Sequence, residues 1–199
     1  MFEMFLFISP LGLRCFNVEK QIIEIKNKLD LDICFNYIPM VKEESLKQDL
    51  MQRNWVFNSS VCLSQYRNAS YDALNLYHAI KLTYGNKRAR RFLFDLQREL
   101  SNGSQPYSAA LATKVLEQMN LSRDSVFKST NCSYLRDSIM QDQKLAQKYQ
   151  ITTAPSVVIY NEDKIDDFGI LLEGNIDYDE LLDAIAPQNN SSINHLRLI

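Results

Sequence analysis

The spacing of apolar positions changes along the chain, and each spacing predicts its own kind of secondary structure. Residues 3–9, Glu-Met-Phe-Leu-Phe-Ile-Ser, form an apolar run that is typical of a buried strand. Pro10 and Gly12 interrupt this run, and over 16–29 apolar residues recur at helical intervals. Residues 31–38 then alternate, which predicts a second strand. A strand, a helix and a strand at this spacing predict a βαβ unit with two parallel strands.

The long middle of the chain has a helical pattern almost throughout. Helices are predicted over 71–80, 88–100, 107–119 and 133–149, and Ser122 begins a further short segment. No comparable strand signal interrupts this region, which therefore predicts an inserted helical unit.

Strand signals return near the end of the chain. Residues 156–160 are β-branched, residues 161–164 are polar and turn-forming, and residues 168–172 are apolar again, which predicts a hairpin. Asp177 then precedes a helical pattern over 178–185.

This order predicts an α/β fold with a four-stranded mixed sheet that is divided by an all-helical insertion. Residues 1–43 and 150–187 form the two halves of the sheet-containing domain, and residues 44–149 form the inserted domain. Residues 188–199, rich in Asn and Ser, are expected to be a loose tail.

Charge and hydropathy remove several classes of function. The formal net charge is -2 over 199 residues, so nothing in the overall charge favours nucleic acid or an anionic membrane. No apolar run approaches the roughly 20 residues that a membrane span needs. The first residues lack a basic segment, carry Glu3 and reach Pro10 before a signal peptide could form. We therefore expect a cytoplasmic protein, neither secreted nor inserted in a membrane.

The cysteines form no familiar pattern. Cys15, Cys34, Cys62 and Cys132 are widely spaced, none belongs to a Cys-x-x-Cys pair, and only two histidines accompany them. No metal site and no cofactor is therefore predicted. In a cytosolic protein such cysteines are usually reduced, and we expect Cys34, Cys62 and Cys132 to pack as small apolar residues.

Two further features have open interpretations. Lys87, Arg88, Arg90 and Arg91 form a basic cluster at a helix start, and they either make a solvated face or bind an acidic partner. His78 lies within an apolar pattern, where a semi-buried, hydrogen-bonded histidine is more common than a catalytic one.

Two segments of the chain resemble a known family. The order of elements, the proline turn after the first strand and the segment Ile-Thr-Thr-Ala-Pro-Ser-Val-Val-Ile over 151–159 resemble the DsbA-like branch of the thioredoxin superfamily. The resemblance extends to about residue 186, and it implies a thioredoxin-like fold with a cis peptide bond before Pro155. Within this branch, residues 7–16 resemble the cytosolic YjbH/SpxH subgroup, which includes adaptors of the Clp protease.

The match to that subgroup fails at the residue that performs its redox chemistry. The subgroup has Asp-Pro-Leu-Cys-Pro-x-Cys-Trp at this turn. Here Gly12 stands where the first, nucleophilic Cys is expected, and Cys15 matches the second Cys. Ser9, Leu13 and Phe16 replace the Asp, the second Pro and the Trp.

Loss of the first Cys excludes the usual dithiol chemistry. That chemistry needs a thiolate at a helix N-terminus and a second thiol that resolves the mixed disulfide. Cys15 is then either a monothiol site or a packed residue. Gly12 either permits a tight turn or leaves room for a ligand at exposed backbone amides.

The resemblance still implies a groove for a peptide or ligand. Its candidate residues are Gly12, Leu13, Arg14, Thr153, Ala154 and Pro155. A cis Pro155 would free the backbone of Ala154 for strand addition by an extended peptide.

The leading hypothesis is therefore a protein-binding or protease-adaptor protein without the dithiol pair. One alternative is a thiol-disulfide oxidoreductase or a glutathione-dependent enzyme with an atypical site, because Ser9 and Pro10 resemble the turn of kappa-class glutathione transferases. A monothiol sensor that uses Cys15 is a further alternative.

Overall fold

The structure is a computed structural model that describes residues 1–53, 59–102, 106–162, 168–186 and 197–199. Its strands and helices in chain order are β1 (Phe2–Ile8), α1 (Leu13–Lys28), β2 (Ile33–Pro39), α2 (Glu43–Gln52), α3 (Ser59–Tyr84), α4 (Asn86–Asn102), α5 (Ala109–Gln118), α6 (Arg123–Thr130), α7 (Ser133–Lys148), β3 (Ser156–Asn161), β4 (Ile170–Glu173), α8 (Tyr178–Ile185) and β5 (Arg197–Leu198).

The strands form one mixed sheet in the order β2-β1-β3-β4-β5. β1 and β2 are parallel, whereas β3 is antiparallel to both β1 and β4. Helices α2–α7 follow one another between β2 and β3 along the chain. The predicted fold class, a mixed sheet with a helical insertion, is confirmed, as are the βαβ unit and the hairpin.

The end of the chain differs from the expectation of a loose tail. Arg197 and Leu198 pair with Leu171 and Ile170 as a short fifth strand at the edge of the sheet. The backbone groups at the free edge of β4 pair with this strand. A pairing of only two residues has no periodicity in the sequence, so it could not be predicted. The rest of the predicted tail, 188–196, lies outside the described residues, as does part of the predicted turn over 161–164.

Both faces of the sheet are covered, which explains why residues 4–8 of β1 are all apolar. Met4 and Leu6 point to one face and belong to a core that α1, α3 and α4 share. Phe7 points to the other face and packs against Tyr149, just after α7. Successive side chains of a strand point to opposite faces, so only a strand buried on both sides needs apolar residues at every position.

Local signals account for several helix starts. Ser122 accepts a hydrogen bond from the Ser125 amide at the start of α6, and Asp177 and Glu180 form a reciprocal capping box at α8. No helix within the described ranges is long and apolar enough to cross a membrane.

The cysteines do not all pack as expected. Cys34 is exposed and Cys132 is only partly buried, while the side chain of Cys62 is not among those that the structure describes. Cys34 is the second residue of β2, an edge strand of the sheet, and its neighbours Ile33 and Phe35 direct their side chains to the main core instead.

Candidate functional site

The turn between β1 and α1 is the site that the sequence analysis singled out. The Gly12 amide donates to the Ser9 carbonyl at 3.0 Å, and α1 begins at the next residue. Gly12 caps this helix only through its backbone, since it has no side chain to accept a hydrogen bond. The first amides of α1 therefore need a partner from elsewhere.

Asp49 of α2 supplies that partner. The Leu13 amide donates to Oδ1 of Asp49 at 2.6 Å, and only 3% of Asp49 is exposed. A carboxylate is well placed here, because the N-terminal end of a helix carries partial positive charge. The start of α1 thus binds a carboxylate of the chain itself.

Arg53 and Tyr66 hold Asp49 in place. Nε of Arg53 donates to Oδ2 of Asp49 at 2.8 Å, and the other end of the guanidinium donates to the Leu11 carbonyl. The Tyr66 hydroxyl also donates to Asp49. Burial, with the negative charge of Asp49, raises the pKa of Tyr66 well above its usual value, so Tyr66 keeps its proton as a donor. We call Asp49, Arg53 and Tyr66 the carboxylate plug.

The same helix also covers the proline loop. The Ala154–Pro155 peptide bond is cis, and the Ala154 amide donates to Oγ of Ser45 at 2.9 Å. Oγ1 of Thr153 lies 3.5 Å from the same Ser45 oxygen. Ser45 and Asp49 lie one helical turn apart on α2, so Ser45 contacts the proline loop while Asp49 contacts the start of α1. The amide that was expected to be free for strand addition is therefore bonded within the chain.

Cys15 lacks the exposure and the low pKa of a reactive thiol. It is 2% exposed, and its sulfur accepts a hydrogen bond from the Ser9 amide at 3.2 Å. Burial raises the pKa of the Cys15 thiol to about 12; the hydrogen bond from the Ser9 amide partly opposes this, and the charge of Asp49 adds to it. Because reactivity belongs to the thiolate, Cys15 is a poor nucleophile at neutral pH.

Steric crowding, rather than backbone conformation, restricts the residue type at position 12. Its φ of -68° is open to any residue, so the turn does not require glycine. A Cβ added at Gly12 would lie 3.0 Å from Sγ of Cys15 and 3.0 Å from Cβ of Ser9. In a disulfide, the Cβ of one cysteine lies about 3 Å from the sulfur of the other, so residues 12 and 15 stand at the separation of a redox pair.

The other predicted site residues are also placed. Gly12, Ala154 and Pro155 are buried, whereas Leu13, Arg14 and Thr153 are partly exposed. Arg14 donates to the side chain of Gln48 on α2. Ser9, on which the glutathione alternative depends, is 2% exposed, which leaves no accessible hydroxyl at this turn.

A cleft lies beside the plugged site, where β2 ends and the proline loop begins. We call it the strand-end cleft, and its volume is about 490 Å³. Its apolar lining includes Met40, Val41, Tyr71, Leu74, Ile139 and Ile151. Among the described residues, no group of three or more His, Cys, Asp and Glu side chains is placed to hold a metal ion.

Sequence reasoning missed the residues that fill the site. Ser45, Asp49 and Arg53 are ordinary polar residues in a helical pattern, and they contact segments far away along the chain. The only local signal was Asp49 four residues before Arg53, a spacing that favours an ion pair within one helix.

Solved structures share the fold of this chain. The thioredoxin-like oxidoreductase of Silicibacter pomeroyi DSS-3 superposes with a TM-score of 0.60 at 15% identity, over 96% of this chain and 88% of that one. DsbA of Xylella fastidiosa superposes with a TM-score of 0.58 at 12% identity, over 92% of this chain and 82% of that one. At these identities the likeness shows the fold.

One curated relative is similar in sequence over part of the chain. The ClpXP adapter protein SpxH of Staphylococcus saprophyticus is 28% identical over 94 residues, which are 47% of this chain and 36% of that protein. The match thus spans about a third of that relative's length. A family model described as Thioredoxin matches residues 5–183, nearly the whole chain. The chain belongs to this thioredoxin family.

Proposed function

We propose that this protein is a non-catalytic, protein-binding member of the thioredoxin family that serves as a protease adaptor. The observation that carries the proposal is the carboxylate plug, in which Asp49 binds the start of α1. A site that holds an internal carboxylate at this point cannot also stabilise a catalytic thiolate there. The scaffold is thereby left with surfaces for binding.

The two remaining parts of the old redox site support the same conclusion. Gly12 offers no nucleophile, and Cys15 is buried with a raised pKa. A thiol-disulfide oxidoreductase would need at least one exposed thiol of low pKa at this turn. The monothiol alternative through Cys15 meets the same obstacle.

The strand-end cleft is the surface that we propose for the partner. It combines an apolar floor with an opening beside the proline loop, and Tyr71, 47% exposed, stands in its wall. Partly exposed aromatic residues beside apolar pockets are typical anchors of protein interfaces. The adaptor named above is the sequence relative that suggests a protease as the destination of the bound partner.

A reducing compartment is part of the proposal. Cys15, Cys34 and Cys132 are all free thiols, and Cys34 is exposed. Exposed free thiols are kept reduced in the cytosol and are oxidised outside it. We therefore propose the cytoplasm as the site of action.

Tyr71→Glu tests the strand-end cleft. We expect affinity capture with the wild-type protein to retain a specific partner, and the variant to lose at least nine-tenths of it, because a charge replaces an apolar contact. The matched control is Tyr134→Glu, since Tyr134 is also an exposed tyrosine, 67% exposed, but lies outside this cleft. Equal loss in both variants, or in neither, contradicts the assignment.

Gly12→Cys tests the absence of redox catalysis. We expect the variant to form a disulfide with Cys15 under oxidising conditions, because the added Cβ lies at disulfide distance. Insulin reduction should nevertheless stay near background for wild type and variant, because Asp49 disfavours a thiolate beside it. Thiol titration of the denatured protein measures the first result, and insulin turbidity measures the second.

Gly12→Ser is the control, because it introduces similar crowding without a thiol. Rapid insulin reduction by the wild-type protein would overturn the proposed function. Failure of the variant to lose two thiols on oxidation would contradict the assignment of Gly12 to the position of the first cysteine.

A further inference from the structure

The outer edge of the sheet carries a second candidate surface at β2. Among the strands that the structure describes, β2 is at the edge of the sheet and pairs with β1 alone. The Phe2 amide donates to Asp32, and the Met40 amide donates to Ile8. Even-numbered residues of β2 therefore direct their backbone groups to β1, and odd-numbered residues direct theirs outward.

Most of the outward backbone groups at the middle of β2 have no hydrogen-bond partner among the described residues. The Tyr37 carbonyl accepts from the Tyr77 hydroxyl at 3.1 Å. No hydrogen bond within the described part of the chain engages the Phe35 amide, the Phe35 carbonyl or the Tyr37 amide. Phe35 thus offers one donor and one acceptor, and Tyr37 offers a second donor. An added strand binds to backbone groups spaced in this way.

A cleft of about 420 Å³ runs along these groups. We call it the edge cleft. Residues 35–38 form one wall, and the other walls are Tyr77 and Lys81 of α3, Asn86, Lys87 and Arg90 of α4, and Asp142 and Leu145 of α7. The helices thus flank the strand edge without filling the space next to it.

The charge of the edge cleft is positive. Lys81, Lys87 and Arg90 line it. Lys81 pairs with Asp142, whose Oδ1 lies 3.3 Å from Nζ of Lys81, and Arg90 pairs with Glu19. Lys87 is exposed and forms no ion pair with any described carboxylate. The first turn of α4, which contains Lys87, adds the positive end of a helix.

Arg90 is held rigidly beside the strand. Its guanidinium stacks 4.3 Å from the ring centre of Phe35 and 4.6 Å from that of Tyr37, and Nε lies 3.3 Å from Oε1 of the buried Glu19. This cation is therefore preorganised next to the open backbone groups, so little side-chain freedom is lost when a ligand binds.

We propose that the edge cleft binds an extended acidic segment of a partner protein, which adds to β2 as a further strand. The segment exchanges main-chain hydrogen bonds with both backbone groups of Phe35. It also accepts a hydrogen bond from the Tyr37 amide, but it donates none to Tyr37. Its carboxylates contact Lys81 and Lys87. This inference deepens the proposed function, since it supplies the chemistry of a segment that such a partner would contain.

Strand addition is favoured over a small anion by the arrangement of the open groups. A small anion needs convergent donors, whereas Phe35 offers a donor and an acceptor that point outward along an edge. The basic residues then select among extended segments by charge, which complements the sequence-independent pairing of the backbone.

Fluorescence anisotropy with a labelled peptide tests the proposal. The probe is a fluorescein-labelled peptide of alternating Glu and Val, titrated with the full chain. We expect saturable binding that weakens at least tenfold in Lys87→Glu and less than threefold in Arg88→Glu. Arg88 is the matched control, because it adjoins Lys87 but does not line the edge cleft.

A second probe separates strand addition from simple attraction of an anion. The same peptide with N-methyl groups on alternate residues keeps its charge but cannot exchange main-chain hydrogen bonds with a strand. We expect it to bind at least tenfold more weakly. Equal binding of both peptides, or of an alternating Lys and Val peptide, overturns the proposal.

The two proposals fail in different ways. Tyr71→Glu should leave peptide binding unchanged, because Tyr71 belongs to the strand-end cleft. If the peptide does not bind while partner capture still depends on Tyr71, only the edge-cleft proposal fails. If insulin is reduced rapidly while the peptide still binds, only the proposed function fails.

Discussion

Asp49→Ala is expected to lower the free energy of unfolding by about 3–5 kcal/mol, the usual cost of removing one partner of a buried ion pair. The substitution leaves the guanidinium of Arg53 buried without its carboxylate, since only 7% of Arg53 is exposed. It also leaves the Leu13 amide without its acceptor at the start of α1. Urea denaturation followed by circular dichroism measures the change.

Two further variants isolate the cause of this loss. Gln48→Ala, at the neighbouring exposed position on α2, is expected to change stability by less than about 1 kcal/mol, because surface substitutions have small effects. The double substitution Asp49→Leu with Arg53→Leu should recover part of the loss, because it removes both charges together. A loss below about 1 kcal/mol in Asp49→Ala would show that the carboxylate plug is not a stabilising unit.

The second large effect is expected at a buried histidine in the helical region. His78 is fully buried, and its Nδ1 lies 2.8 Å from Oγ of Ser138. Its Nε2 lies 3.6 Å from Oδ2 of Asp142. Burial lowers the pKa of His78 to about 3, with a smaller contribution from Lys81. Burial also raises the pKa of Asp142 to about 6, although Lys81 partly opposes it.

These two residues act on stability in opposite directions as the pH falls. An unfolded histidine takes up a proton below pH 6.5, but folded His78 does not until about pH 3, so its contribution is lost on acidification. Folded Asp142 takes up a proton near pH 6, but the unfolded residue does so near pH 3.8, so its contribution grows over that interval. In the wild-type protein the two contributions offset each other.

Single substitutions at His78 and Asp142 separate the two contributions to the pH dependence of stability. His78→Gln is expected to remove the acid-sensitive contribution, so that between pH 7 and about pH 4.5 the variant gains about 2–3 kcal/mol relative to wild type. Asp142→Asn should lose stability more steeply than wild type over the same range. Urea denaturation at a series of pH values measures both, and three parallel curves would contradict the assignment.

Local patterns were sufficient for most of the secondary structure. The apolar run of β1, the breaks at Pro10 and Gly12, and the helical spacing of α1 predicted the βαβ unit that the structure contains. Their success has a physical basis, because strand and helix periodicity and end capping depend on residues only a few positions apart.

The candidate site was predictable only in part. Neighbouring residues predicted the turn after β1, whereas the cis bond before Pro155 was expected only from the resemblance to the DsbA-like family. Exposed amides at the start of α1 were one of two interpretations of Gly12, and the resemblance implied a free Ala154 backbone. In the structure Asp49 and Ser45 bind the Leu13 and Ala154 amides. The Leu13–Asp49 pair is separated by 36 residues and the Ala154–Ser45 pair by 109, so no local pattern contains either contact.

The sequence by itself determined the order of the strands and helices and the absence of a Cys-x-x-Cys pair, because both depend on residues close together along the chain. Only the tertiary structure decided which groups bind the start of α1 and the proline loop. The packing of α2 across the turn makes a serine and an aspartate of ordinary helical pattern the hydrogen-bond partners of the Ala154 and Leu13 amides. Burial then sets their chemistry, since the strength of a charge or a hydrogen bond depends on how much water surrounds it.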